Sequence, residues 1–405
     1  MKKACILSNG CPESLIDCAR VKLYFEENGW YTTDDSTTAD LILLYACALT
    51  NNSTDYSLNI VKELQEKAKH DSKVMIWGCL PKTDYESLKQ IYVGPTFSES
   101  DLYKLDEIIH AQKPIDDITA NEVCSRYRNS GSFWSKIYKS PIRLFNLYYN
   151  HLYTKRNLHK PKDSSIFYIK ISTGCLGHCT YCSVRLSRGK TKSKPIDKII
   201  SEFRDGLSRG YKTFALLGTD LSSYGRDFGY TLADLLREMV REKGEYRIGL
   251  RNLNPYFLNQ MMDDLEPVFA TGKIWYTEIA AESGSNKILK LMERDYTVET
   301  LKESIQRLRK ACPSLMIRTQ IMVGFPTETK QDFTETMCLL DEVKFDFVEV
   351  YRFSPRSGTA AEKMQGRISN RVMRLRSYRI VGKIVLDNIL KMGRKPLNNI
   401  RSINT

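Results

Sequence analysis

The stretch IFYIKISTGCLGHCTYC, residues 166–182, decides the fold of the larger part of the chain. Its first six residues form an apolar, alternating run that predicts a β-strand. Three cysteines follow in a glycine-containing loop with C-x3-C-x2-C spacing: Cys175, Cys179 and Cys182. An amphipathic helix is predicted to begin at residues 195–200. Three thiolates this close together can ligate three irons of a [4Fe–4S] cluster and leave the fourth iron open. Zinc is a poorer fit, because zinc sites usually combine ligand pairs from two places.

Strands and helices alternate downstream of this loop. Further strands are predicted at residues 214–220, 274–281, 316–323 and 347–353. Helical patterns are predicted at residues 201–209, 232–243, 298–312 and 331–343. Alternating βα units indicate a parallel sheet. Six such units would form a partial (β/α)6 barrel, with its chemistry at the carboxyl ends of the strands.

The first hundred residues predict an α/β domain of another kind, a doubly wound parallel sheet. Cys11, Cys47 and Cys79 each follow an apolar, strand-like run, and helical patterns lie between them. In a doubly wound sheet the carboxyl ends of the strands converge on one crevice, so cysteines 36 and 32 positions apart would meet there. Three separately buried cysteines fit the same pattern. The residues alone leave both alternatives open.

The order of strand, cysteine loop and helix resembles the radical S-adenosylmethionine (SAM) superfamily. The ordered segments SNGC, YACALTNNSTDYSLNIV, WGCLPK, TGCLGHCTYC, ESGSNKILKLMER and VGFPTET resemble the methylthiotransferase family, whose members modify tRNA adenosines or a ribosomal protein. This resemblance covers residues 3 to 364. It implies SAM as a cofactor at the open iron of the first cluster, a second [4Fe–4S] cluster on Cys11, Cys47 and Cys79, and a reducing electron donor such as a flavodoxin or ferredoxin.

The resemblance also implies a set of SAM-binding residues. They are Tyr181, Gly218, Thr219, Asp220, Glu282, Ser283, Arg318, Gly324 and Glu328. Tyr181 matches the aromatic residue that contacts adenine, and the turn 218–220 would face the methionine amino group. The alternative for each residue is an ordinary turn or surface position.

Three more parts of this pocket come from later strands. Glu282 and Ser283 lie near the expected ribose position, where the family usually has Gln in place of Glu282. Arg318 is the candidate partner of the SAM carboxylate. The loop 324–328, GFPTE, matches the family loop that lets the adenine approach the backbone.

The net charge of +13 is concentrated in two segments. Residues 123–162 and residues 366–401 each contribute +9, and the remainder carries −5. The first segment mixes aromatic residues with cations, which suits nucleic acid, an acidic protein partner, a membrane surface or a merely solvated linker. No apolar run is long enough for a transmembrane helix or a signal-peptide core, so we expect a cytoplasmic protein.

These patterns divide the chain into four segments and set the expected substrate. The segments are an N-terminal domain (1–120), a basic aromatic linker (121–164), a radical SAM barrel (165–364) and a basic helical tail (365–405). Family members usually end in a small β-barrel that contacts the substrate, often RNA. The tail of this chain predicts a basic helix over residues 371–389 and no such barrel. The missing barrel favours methylthiolation of a protein or peptide side chain, and this is the reaction we expect. The segment TDLSSYGRD (219–227) points the same way, because it looks closer to the ribosomal-protein branch of the family than to the tRNA branch. Alternatives are methylthiolation of a tRNA base (an adenosine derivative) and, from another class, a non-catalytic iron–sulfur or electron-transfer protein.

Overall fold

The computed structural model describes residues 2–124 and 165–393, which form two parallel sheets flanked by helices. Most of the basic aromatic segment and the end of the tail, from residue 394, lie outside the described residues. The four predicted segment boundaries stay predictions. In the part of the chain that the structure describes, no helix combines the length and apolarity needed to cross a membrane.

The first sheet is doubly wound. Its strands are β1 (Lys3–Ser8), β2 (Tyr31–Thr33), β3 (Leu41–Ala46), β4 (Lys73–Gly78) and β5 (Thr96–Phe97). Its helices are α1 (Pro12–Glu27), α2 (Asn51–Lys67), α3 (Leu80–Thr83), α4 (Tyr85–Lys89) and α5 (Lys104–Ile109). Every residue of β3 is buried, because its apolar run LILLYA meets helices on both faces of the sheet. The parallel strands lie in the order β2-β1-β3-β4-β5, so the order reverses between β1 and β3, where sheets of this type place their ligands.

The second sheet is an open, six-stranded parallel sheet. The strands of this part of the chain are β6 (Ile166–Lys170), β7 (Ser172–Thr173), β8 (Lys192–Ser193), β9 (Thr213–Leu217), β10 (Arg247–Leu253), β11 (Ile274–Glu282), β12 (Met316–Val323) and β13 (Phe347–Arg352). The sheet order is β13-β12-β11-β10-β9-β6, and β7 pairs with β8 in a separate antiparallel ribbon beside the cysteine loop. The predicted partial barrel is therefore confirmed. Strand β10 is an addition to the predicted elements.

Helices flank the second sheet. They are α6 (Val184–Arg188), α7 (Ile196–Ser208), α8 (Leu232–Arg241), α9 (Pro255–Gln260), α10 (Met262–Ala270), α11 (Asn286–Leu291), α12 (Val298–Ala311), α13 (Lys330–Val343) and α14 (Asn370–Gly393). One hydrophobic core lies between these helices and the strands. A smaller core on the other face of the sheet receives Ile16 of α1, which packs among residues that include Ile166 and Tyr168. Helix α1 thus links the two sheets.

Buried ion pairs also cross between the two sheets. Lys170 Nζ lies 2.6 Å from Asp17 Oδ1 and 2.7 Å from Glu99 Oε1. Asn252 Nδ2 donates a hydrogen bond to Glu13 Oε1 (3.1 Å). Charge-assisted hydrogen bonds are short and directional, so these contacts fix how the carboxyl ends of the two sheets face each other.

Candidate functional site

Cys175, Cys179 and Cys182 lie in one tight loop between β7 and α6. The amide of Gly177 donates a hydrogen bond to Cys175 Sγ (3.2 Å). A Cβ added at Gly177 would lie 3.3 Å from Cys175 Sγ and 3.8 Å from Cys179 Sγ. The loop therefore keeps a space beside its sulfurs that any larger side chain would enter. Burial raises the pKa of Cys182 to about 11.

The guanidinium of Arg294 lies beside this loop. Its Nη1 donates a hydrogen bond to Cys179 Sγ (3.2 Å), and its Nη2 donates one to the carbonyl oxygen of Ala280 (2.9 Å). A second contact joins Cys175 Sγ to Asp220 Oδ2 (3.6 Å). Burial raises the pKa of Asp220. Asp220 is a predicted site residue; Arg294 is not, although it ends the segment ESGSNKILKLMER.

Tyr181 and Glu282 lie next to Arg294 and belong to the same site. Burial raises the pKa of Glu282, and the Arg294 charge and a hydrogen bond from Tyr181 oppose that rise. Glu282 has a left-handed backbone (φ 57°), which costs free energy in a residue other than glycine and is often found at functional sites. The Tyr181 ring also packs edge-on against Phe325, with 6.4 Å between ring centroids. The structure thus brings Glu282 next to Tyr181 of the cysteine loop, and the contacts of both residues with SAM stay predictions.

The turn after β9 packs against the ribbon that leads into the cysteine loop. A Cβ at Gly218 would lie 2.6 Å from Ser172 Oγ, so glycine is needed for this close approach. Thr219 Oγ1 accepts a hydrogen bond from Arg188 Nη1 (3.2 Å). Asp220 is buried and reaches the loop as described above. All three predicted residues of the turn therefore lie at or next to the cysteine loop.

The predicted ribose turn, residues 283–285, packs against helix α13. Ser283 is fully buried, and its Oγ lies 3.4 Å from Thr336 Oγ1. A Cβ on Gly284 would lie 2.5 Å from the carbonyl oxygen of Glu335. The glycine is therefore needed for helix packing. A ribose contact at Ser283 stays a prediction.

The last helix, α14, closes the loop that contains Gly324 and Glu328. Gly324 has a left-handed backbone (φ 80°), and its amide donates a hydrogen bond to Glu328 Oε2 (2.6 Å). Arg376 of α14 donates to the same carboxylate. A Cβ on Gly324 would overlap the side chain of Met373, also in α14. Both predicted residues therefore shape this loop, and their contact with adenine stays a prediction.

Arg318 belongs to a chain of buried charges on β10, β11 and β12. Its guanidinium pairs with Glu278 (3.7 Å) and with Glu349 of β13. Glu278 also pairs with Arg251 (3.5 Å), and Arg251 reaches Glu13 in α1 (3.4 Å). Arg318 thus already has two carboxylate partners, and its proposed role toward the SAM carboxylate stays a prediction.

Cys11, Cys47 and Cys79 converge at the carboxyl ends of β1, β3 and β4. Burial raises the pKa of Cys47 and of Cys11, and a neighbouring thiol adds to each rise: Cys79 for Cys47, and Cys47 for Cys11. The backbone amide of Cys47 donates to Asn9 Oδ1 (3.0 Å), and Tyr45 OH lies 3.4 Å from Cys79 Sγ. The three cysteines are therefore neighbours at one edge of the first sheet, and a cluster shared by them stays a prediction.

The surroundings of both cysteine sets are compatible with a cluster, and the assignment of these cysteines as ligands stays a prediction. Among the residues described, no three Cys, His, Asp or Glu side chains are close enough to hold one metal ion. A [4Fe–4S] cluster does not need that convergence, because each thiolate binds a different iron. The space beside Gly177 and the cationic donors at Cys179 and Cys11 fit an anionic cluster whose sulfurs accept hydrogen bonds.

Comparisons with known proteins match both parts of the chain to families. Residues 169–340 match the Radical SAM superfamily, and residues 3–95 match the uncharacterized protein family UPF0004. The tRNA-2-methylthio-N(6)-dimethylallyladenosine synthase of Thermodesulfovibrio yellowstonii is 31% identical over 378 residues, which cover 92% of this chain and 80% of the relative. The threonylcarbamoyladenosine tRNA methylthiotransferase MtaB of Thermotoga maritima is 28% identical over 369 residues, which cover 90% and 78%.

A solved structure supports the fold. The radical SAM methyltransferase TsrM of Kitasatospora setae, with cobalamin and a [4Fe–4S] cluster bound, superposes with a TM-score of 0.59. It is 13% identical, and the superposition covers 89% of this chain and 77% of that chain. At this level of identity the likeness concerns the fold alone.

The expected protein or peptide substrate is wrong. The relatives described above are named as tRNA methylthiotransferases, and they align with nine-tenths of this chain. That expectation rested on a tail without a β-barrel and on one short loop sequence. Neither feature describes the cavity in which the substrate carbon reacts, so neither could identify the substrate class.

The remaining predictions concern the enzyme and its cofactors. The matches to both families, together with the named relatives, confirm a methylthiotransferase that uses SAM and two [4Fe–4S] clusters, and they exclude the non-catalytic alternative. The assignment of individual residues to these cofactors stays a prediction. The chain belongs to the radical SAM methylthiotransferase family.

Proposed function

We propose that this enzyme attaches a methylthio group to a carbon of a tRNA base, an adenosine derivative. Relatives at 28% and 31% identity are named for this reaction on tRNA. The observation that carries the proposal is that one guanidinium contacts both a cysteine of the N-terminal set and the turn that lies beside the cysteine loop. Arg188 contacts Cys11 Sγ (3.7 Å) and Thr219 Oγ1 (3.2 Å), so the two candidate cluster sites face each other at the interface of the sheets.

The loop cysteines Cys175, Cys179 and Cys182 would hold the cluster that binds SAM. When bound, this cluster and SAM supply the radical chemistry that opens an unreactive C–H bond. The chain provides the surroundings: Arg294 places a positive charge at Cys179, and the Tyr181 side chain borders the loop. The electron would come from a reducing donor such as a flavodoxin or ferredoxin.

Cys11, Cys47 and Cys79 would hold the second cluster, which supplies a place for the sulfur that is transferred. Cys11 and Cys47 follow the two strands between which the order of the first sheet reverses, and Cys79 follows the next strand, β4. Helix α6 closes this side, because Ser187 Oγ donates a hydrogen bond to Cys79 Sγ (3.7 Å). A substrate carbon held between the two sheets would therefore lie next to both the proposed SAM-binding cluster and the proposed second cluster.

Helix α14 offers a basic surface for the tRNA backbone. Arg371, Arg374 and Arg379 are exposed on it, beside the exposed ring of Tyr378. The same helix closes the loop after β12, so these cations lie near the proposed SAM pocket. Phosphate contacts of this kind position a nucleic acid and weaken as salt rises.

The test uses tRNA from a strain that lacks the gene. Iron-reconstituted enzyme, SAM, sulfide and a reductant are added, and the nucleosides are analysed by mass spectrometry. We expect one modified adenosine to gain the mass of a methylthio group in exchange for hydrogen. Cys47→Ala and Cys175→Ala should abolish this product, whereas Cys338→Ala, at an exposed cysteine outside both sets, should not. Unchanged tRNA together with a methylthiolated peptide in a parallel reaction would overturn the proposal.

A further inference from the structure

Arg188 is the side chain that links the N-terminal cysteine set to the turn beside the cysteine loop. It is the last residue of α6, which begins two residues after Cys182. Its side chain is only 5% exposed and extends from the second sheet into the first. Its Nε lies 2.8 Å from Glu99 Oε2, and its Nη2 lies 3.1 Å from Tyr45 OH and 3.7 Å from Cys11 Sγ. A guanidinium carries five N–H donors in a rigid fork, so it can serve these partners at once.

The positive charge of Arg188 is only partly neutralised by its other partners, and it lies close to the sulfur of Cys11. Glu99 is its carboxylate partner, but Glu99 also receives Lys170 at 2.7 Å. The remaining contacts, with Thr219 and Tyr45, are to neutral hydroxyl groups. A buried cation with a shared counter-ion therefore lies against Cys11, and the carboxylate of Glu13 lies close to the same thiol. Hydrogen bonds to the sulfurs and local charge are two of the features that set the reduction potential of an iron–sulfur cluster.

We propose that Arg188 is a positioning residue that raises the reduction potential of the N-terminal cluster through its charge and its hydrogen bond to Cys11 Sγ. The proposal rests on the ligand set Cys11, Cys47 and Cys79 put forward above. The positive charge stabilises the reduced cluster, which carries one more negative charge than the oxidised cluster. Thr219 and Glu99 hold the guanidinium in place from either side, so the effect depends on the two sheets being docked.

The experiment isolates the N-terminal cluster in the full-length chain. A background variant with Cys175→Ala, Cys179→Ala and Cys182→Ala should retain about four irons per chain. In this background the cluster is titrated electrochemically and followed by electron paramagnetic resonance. Arg188→Gln should shift the midpoint potential to a more negative value, whereas Lys190→Gln, which removes an exposed charge two residues further on, should leave it unchanged.

The outcomes separate this inference from the proposed function. If the background variant holds no iron, the ligand set itself is wrong. If Arg188→Gln retains its iron and the midpoint potential of the unsubstituted background, the role of Arg188 is refuted. If Arg188→Gln fails to assemble a cluster, Arg188→Lys provides the measurement. Lysine keeps the charge but loses the fork, so we expect a smaller shift in the same direction, and no shift would refute the proposal.

Discussion

Replacing Lys170 by Met should weaken the contact between the two sheets. Lys170 is the last residue of β6, and its Nζ lies 2.6 Å and 2.8 Å from the two carboxylate oxygens of Asp17. It also lies 2.7 Å from Glu99 Oε1. The lysine side chain is 16% exposed, and those of Asp17 and Glu99 are 2% and 7% exposed. Methionine would fill a similar volume, but both buried carboxylates would lose their shared cation.

The expected loss of stability depends on which of the two carboxylates is left without a cation. Arg188 still lies 2.8 Å from Glu99 in the variant, so Asp17 is the group that loses its cation. Removing one partner of a buried ion pair costs about 3–5 kcal/mol, because the other charge remains buried without compensation. We therefore expect Lys170→Met to lower the free energy of unfolding by about 3–5 kcal/mol.

Lys383 provides a matched control. Its side chain is also 16% exposed, but its partners Asp341 and Asp387 are 63% and 46% exposed. Ion pairs with such exposed partners contribute about 1 kcal/mol or less, so Lys383→Met should cost no more than that. Urea unfolding of the iron-loaded proteins without oxygen, followed by circular dichroism, compares the two variants. Equal losses would refute the reasoning, because burial of the partners would then make no difference.

Three further predictions concern the loop, the second cluster and a helix cap. Gly177→Ala should remove the iron of the C-x3-C-x2-C loop, because the added Cβ would enter the space beside two sulfurs. The control Gly382→Ala, which has no atom within 4 Å of the added Cβ, should keep its full iron content. Equal iron content in the two variants would contradict this prediction. Cys47→Ala should halve the iron content, from about eight to about four irons per chain, and should leave the cleavage of SAM to 5′-deoxyadenosine intact. Loss of that cleavage would show that the two sites are not separate. Asp332→Asn should lower the free energy of unfolding at pH 7 by about 2 kcal/mol, since this carboxylate accepts charge-assisted hydrogen bonds. Although burial opposes it, the hydrogen bond from Lys287 and the helix cap hold the pKa of Asp332 below its ordinary value. The difference from wild type should therefore shrink as the pH falls below about 4, and a constant difference would contradict the assignment.

Local sequence is sufficient to predict an element when all of its residues are buried or lie close together in the chain. The apolar run of β3 is buried on both faces, and its six residues were recognisable as a strand without any partner. The loop cysteines are equally plain, since Cys175, Cys179 and Cys182 lie within eight residues of each other. Cys11 and Cys47 are different, because only the order of the strands brings them together.

Buried charges are what the sequence could not predict. Strand β10 reads RIGLRNL, and a periodicity argument places its arginines in water. In the structure Arg251 is buried, because Glu278 and Glu13 lie on either side of it. Glu13 is more than two hundred positions away in the chain, so no local window contains the partner that makes this burial possible. Arg188 and Arg294 were missed for the same reason.

These buried charges explain how two sites on different sheets can keep a fixed separation. Apolar contacts such as that of Ile16 stabilise the interface, but the hydrophobic effect has no direction and allows one surface to slide over another. Charge-assisted hydrogen bonds are directional, and separating buried partners is costly. The contacts run from Lys170 through Glu99 to Arg188, which meets a cysteine of the first sheet and a turn of the second. Sliding would break all of them together, so the interface has one favourable register. A reaction that needs a radical and a sulfur at the same carbon requires that constancy, and a purely apolar interface would not supply it.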